Sequence, residues 1–177
     1  MKKFAYFVIA LCIMIWLGGS LVRNVIAYDI FVPATELTIK TEYSEEIINY
    51  NIYLFATSSI YTNTAFTLSF LIVLIIAISE KSTLKKEGWL FMSIILYLLV
   101  SPIVFYNIHD DLNLSFAVMW NDFSYINNQT LRNYFFNRFS NTTMSVLSGI
   151  SYLAVLNIIA YAIYRPLQFR EKSINEI

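Results

Sequence analysis

The chain has 177 residues, of which 58% are hydrophobic, 17% aromatic and 14% charged, with a formal net charge of zero. A soluble domain carries about 25% charged residues, so this composition excludes an ordinary soluble protein, and a mean hydropathy of +0.59 points to a membrane. One cysteine, Cys12, and one histidine, His109, exclude a disulfide framework or a Cys/His metal cluster within one chain, and no cofactor is expected.

The charges are clustered, and the gaps between them set the number of spans. Uncharged runs of 19, 33, 21 and 26 residues separate Lys3 from Arg23, Glu46 from Glu80, Glu87 from His109, and Arg138 from Arg165. About 20 apolar residues cross a hydrocarbon core as helix, and a helix satisfies its own backbone there. The sequence therefore predicts an all-α membrane protein: one domain over residues 1–177, four transmembrane helices near 4–32, 50–79, 88–108 and 141–165, and outer loops at 33–49 and 109–140.

The first span opens with Lys2 and Lys3 like a secretory signal. Its apolar stretch exceeds the usual 7 to 15 residues, so it reads as a retained helix. "NVIAYDIFV" carries it past Arg23 toward Pro33, where proline would end it. Arg23 then needs an acidic partner, Asp29, Asp110 or Asp111, or a lipid phosphate. The segment "TELTIKTEY", residues 35–43, alternates apolar and polar side chains as a half-buried strand does.

Thr57, Tyr61 and Thr64 lie four and three residues apart on the second span, which puts them on one helical face. They are candidates for a polar path or for contact with a partner helix. The connection "EKSTLKKEG" is short, so spans two and three form an antiparallel hairpin. Ser101-Pro102 marks a kink in the third span.

His109, Asp110 and Asp111 follow that span and are the one cluster of ligand-type side chains, a candidate metal or acid–base site. Beyond them "LNLSFAVMW", residues 112–120, alternates again. The two alternating segments are expected to pair as two short strands of a small extracytoplasmic cap, completed by an interfacial helix over "TLRNYFFNRF", residues 130–139. In the fourth span "SVLSGIS" offers small residues for close packing, and the lone Asn157 is expected to hydrogen-bond across the bundle.

One set of segments (Lys2, Lys3, Lys81, Lys85, Lys86, Arg165, Arg170, Lys172) holds eight of the twelve basic residues and four of the acids. By the positive-inside rule both termini are cytoplasmic, in an inner or plasma membrane. These basic residues are too few for nucleic acid. The expected partners are the lipid bilayer and a membrane protein or a second copy of this chain.

"WLGGSLVRNVIAYDIFVP", residues 16–33, resembles the first helix of small four-helix membrane proteins of unknown function with a W-x-G-G turn and a later proline. Four spans, both termini inside and polar outer loops also resemble the colicin A type immunity proteins, which sit in the inner membrane and block a pore-forming toxin. The function expected is non-catalytic and by protein contact, as an accessory subunit, an assembly factor or an immunity-type protein. The alternatives are an outer-face enzyme or metal site around His109, and a small channel or carrier.

Overall fold

The computed structural model describes residues 2 to 120 and 129 to 167. The middle of the second loop and the basic residues Arg170 and Lys172 lie outside them. The described residues form six α-helices: α1 (Lys2–Asp29), α2 (Glu45–Ser79), α3 (Lys81–Lys86), α4 (Gly88–Trp120), α5 (Gln129–Ser140) and α6 (Thr142–Tyr164). Four of them, α1, α2, α4 and α6, are long and apolar enough to cross a membrane. The protein is a multi-pass membrane protein.

Local chemistry explains the element boundaries. Ser44 caps α2, its hydroxyl accepting from the Ile47 N–H, and Glu45 and Glu46 lie in the first turn, where the helix dipole favours negative charge. Asn141 caps α6 by accepting from the Met144 N–H at 3.1 Å. Pro102 lies inside α4 and takes a donor from the Leu98 carbonyl one turn back. The Ser101 hydroxyl donates to that carbonyl at 2.9 Å, so the helix runs on through the proline.

The spans pack in sequence, α1 on α2, α2 on α4 and α4 on α6, with α5 laid on α4 and α2. Trp16 closes this row into a bundle near mid-height, its ring 5.2 Å from Phe66 and 5.5 Å from Tyr152. Gly19 lets α1 approach α2 closely, since a Cβ there would stand 2.5 Å from the Thr62 methyl.

Two hydrophobic cores result. One fills the spans around Trp16, Phe66, Tyr97 and Val155. The other fills a helical head formed by the far ends of α1, α2 and α4 together with α5, around Phe31, Phe55, Leu114, Phe135 and Phe139. At 1.5 Å per residue the 35 residues of α2 reach about 52 Å, against a hydrocarbon core of about 30 Å. The head therefore stands clear of the apolar slab.

The strand cap is corrected. There is no strand among the described residues, and the first alternating segment forms just an isolated bridge, Ile39 with Phe31. Leu37 has φ 57, a left-handed conformation that interrupts an extended run. Residues 112–120 are helical and continue α4. Their buried positions with Ile108 are Asp111, Leu114, Ser115 and Val118, while Leu112 and Phe116 are 36% and 49% exposed. Spacings of three and four thus prevail over the alternation of two. The helix expected at 130–139 is present as α5, and its apolar side, Leu131, Phe135 and Phe139, is buried in the head.

Gly18 has open space where a Cβ would stand, which makes it an internal control for Gly19. We expect Gly19→Val to cost about 1–3 kcal/mol by overpacking. Gly18→Ala should be neutral or gain about 0.5–1 kcal/mol. Denaturant-induced loss of helix in detergent micelles measures both, and equal effects would contradict the close α1–α2 approach.

A buried ionic centre beneath the head

One turn beyond Gly19, Arg23 is delivered into the interface among α1, α2 and α4. Its guanidinium donates to the Asp111 Oδ2 at 2.7 Å and to the Thr62 hydroxyl at 2.9 Å. The two charged side chains are only 6% and 3% exposed. From α5, Arg138 Nε donates to the other oxygen, Asp111 Oδ1, at 3.2 Å. One carboxylate therefore joins α1, α4 and α5, and Thr62 adds α2.

Aromatic faces surround the centre. The Arg23 guanidinium lies 4.3 Å from the Phe55 ring centroid, and that of Arg138 lies 5.8 Å from Phe139. Two cations share one anion, so the residual positive charge rests against ring quadrupoles. One turn along α4, the Ser115 hydroxyl meets Ser59 of α2 at 2.6 Å and the Ala56 carbonyl at 2.9 Å. The Asn107 amide donates to the Ser148 hydroxyl of α6 at 2.7 Å.

A cavity of about 30 Å3 adjoins the cluster, lined by Arg23, Asn63, Asn107 and Asp111 among others. Arg23 Nε, Asn63 Nδ2 and Asn107 Oδ1 are buried there without a protein partner. The space accommodates a bound water with two or more polar contacts. Chemically the centre is an electrostatic clamp: its carboxylate is held by two guanidiniums and is not positioned as a base.

The other sequence candidates fall elsewhere. His109 and Asp110 contact each other at 3.3 Å with side-chain exposures of 74% and 33%, whereas Asp111 is turned inward. The three residues do not converge, and no group of three or more His, Cys, Asp or Glu able to hold a metal occurs among the described residues. Thr57 donates to carbonyls of its own helix at 2.8 and 3.2 Å. Tyr61 is 73% exposed and Thr64 is exposed as well. The polar face turned inward on α2 is instead Ser59, Thr62, Asn63 and Ser69. Asn157 is exposed and donates to the Leu153 carbonyl of its own helix at 2.9 Å, not across the bundle.

No protein-family model, curated protein or solved structure matches the chain.

Breaking a buried charge cluster from one side leaves charges uncompensated. Asp111→Leu should therefore cost roughly 3–5 kcal/mol in the same denaturation assay. The triple variant Arg23→Met, Asp111→Leu, Arg138→Met should recover most of that loss. His109→Ala should change stability by less than about 0.5 kcal/mol, as exposed side chains do. A triple variant weaker than Asp111→Leu alone would show that the three side chains do not act as a unit.

Proposed function

We propose that the protein is a non-catalytic membrane protein that works by contact, as an accessory subunit, an assembly factor or an immunity-type protein, through the head. One observation carries this reading: the head buries its Arg23–Asp111–Arg138 cluster and leaves apolar and aromatic side chains exposed beside surface acids such as Glu36, Glu42, Glu45 and Glu46. Arg23, Asp111 and Arg138 are consumed by one another. Ile47 and Tyr50 on α2 are 45% and 55% exposed, and Phe116 and Met119 on α4 are 49% and 64% exposed.

These positions lie on the parts of α2 and α4 that exceed the roughly 20 residues a bilayer needs, so lipid does not cover them. Aromatic residues and Met are the types enriched in protein interfaces. A rigid support favours recognition because little ordering is left to be lost on binding. The Phe55–Phe135–Phe139 cluster, with centroids 5.0 to 5.4 Å apart, provides one.

The same reading places the head outside and both termini in the cytoplasm of a plasma or inner membrane, supported by the excess of Lys and Arg in the segments at the termini end. A Cys12→Ala background removes the one native thiol. Cysteine introduced at the exposed Thr35 of the head should then react with an impermeant maleimide on intact cells, while cysteine at the exposed Ser82 should react only after lysis. The reverse pattern would invert the topology.

Contact is tested by purification in mild detergent. The native chain should carry a stoichiometric membrane-protein partner, and Tyr50→Asp with Met119→Asp should release it while helix content stays unchanged. A monodisperse chain without any partner, recovered from native membranes, would sink the proposal.

A further inference from the structure

At the opposite end from the head, α1 and α6 part. Each follows its own neighbour, α1 on α2 and α6 on α4, and between the four spans they leave a cavity of about 750 Å3. That lies within the roughly 300–1,000 Å3 of ligand pockets. Its walls are apolar, with Ile9, Ile13, Val73, Ile94, Ile158 and Ile159 among them. The hydroxyls deep inside are already satisfied: Tyr97 and Ser69 bond each other at 2.5 Å, and Ser93 donates to the Trp89 carbonyl at 2.8 Å.

The mouth is different. Lys3, Glu87, Trp89 and Arg165 stand there. Neither Lys3 nor Arg165 has a carboxylate within ion-pair distance among the described residues. The Trp89 indole N–H is buried without a hydrogen-bond partner, and the Arg165 guanidinium lies 5.7 Å from its ring centroid. Among the described residues, two cations without an ion pair and an unmet donor thus face one acid.

The arrangement is built in by the chain after α6. Gly88 donates its N–H to the Leu167 carbonyl at 3.3 Å, and a Cβ at Gly88 would stand 2.8 Å from Leu167 Cβ. Glycine at this position lets the segment lie over the start of α4, which sets Arg165 beside the mouth.

We propose that this cavity binds a phospholipid with an anionic headgroup, one acyl chain between α1 and α6 and the phosphate at Lys3, Arg165 and the Trp89 N–H. The apolar depth matches the chain, and the donors sit where the headgroup region begins. Basic pockets between spans bind acidic lipid headgroups for the same reason. A helix from a second copy would fill the depth and leave both cations and the indole N–H unanswered.

The test uses the full chain in mild detergent, titrated with phosphatidylglycerol or phosphatidylcholine of identical acyl chains and followed by native mass spectrometry. With about 1 kcal/mol for each of the two basic residues near a membrane surface, the first phosphatidylglycerol should bind about thirtyfold more tightly than phosphatidylcholine. Lys3→Ala with Arg165→Ala should abolish that preference. Ala10 lines the cavity and is exposed, so Ala10→Trp should weaken both lipids without disturbing the core. Circular dichroism checks that each variant keeps its helices. Equal binding of the two lipids by the native chain, a preference that survives the double variant, full binding by Ala10→Trp, or a dimer of this chain that Ala10→Trp prevents would each overturn the proposal.

Discussion

The architecture depends on one buried carboxylate having two arginines to hold. Asp111 alone would be an unsupported charge in a region of low dielectric. Arg23 on α1 and Arg138 on α5 take one oxygen each, so the position of each helix is fixed by the requirement that none of the three charges be left unpaired. The close contact at Gly19 is part of the same constraint. Unless α1 lies against Thr62, the guanidinium cannot reach Thr62 and Asp111 together.

This centre also joins two cores that form for different reasons. In the head, apolar side chains such as Phe31, Phe55 and Phe135 are removed from water, which the hydrophobic effect favours directly. Between the spans lipid is as apolar as the protein, so association rests on close packing and interhelical hydrogen bonds. Those bonds run down the bundle from Arg23 with Thr62 to Asn107 with Ser148 and Ser69 with Tyr97. The ionic clamp lies at the changeover, where neither driving force alone would set the angle between head and spans.

How much of this was legible depends on which physical signal each part leaves. The four spans were legible because a charge inside a bilayer is so costly that its absence over 19 to 33 residues is informative in itself. The end of α4 was misread because "LNLSFAVMW" also alternates. The helix was decided by partners distant in sequence, since Asp111 and Ser115 are polar and mark an inward face only once Arg23, Arg138 and Ser59 are opposite them. Similarly, α2 carries two polar faces at helical spacing. Thr57, Tyr61 and Thr64 form one and Ser59, Thr62 and Asn63 the other, and spacing alone does not say which points inward. That Arg23 required a partner was readable; that the partner was Asp111, shared with Arg138, needed the register of α4 and the placement of α5.

The two ends of the molecule therefore solve the same electrostatic problem in opposite ways. At the head Arg23 and Arg138 are buried on one carboxylate, with the residual positive charge against aromatic rings, and the exposed surface offers aromatic side chains beside acids such as Glu36, Glu42 and Glu46. At the other end Lys3 and Arg165 remain at the surface, without an ion pair among the described residues, beside a deep apolar space. An internally paired charge contributes little to an encounter with a partner, whereas an unpaired one attracts its complement over about a Debye length. The head is thus suited to a partner of matching surface, and the end with the termini to a ligand of opposite charge. The asymmetry follows from where the chain places its acids: Asp111 stands within reach of two arginines, and among the described residues Glu87 is the one acid lining a mouth that holds two cations.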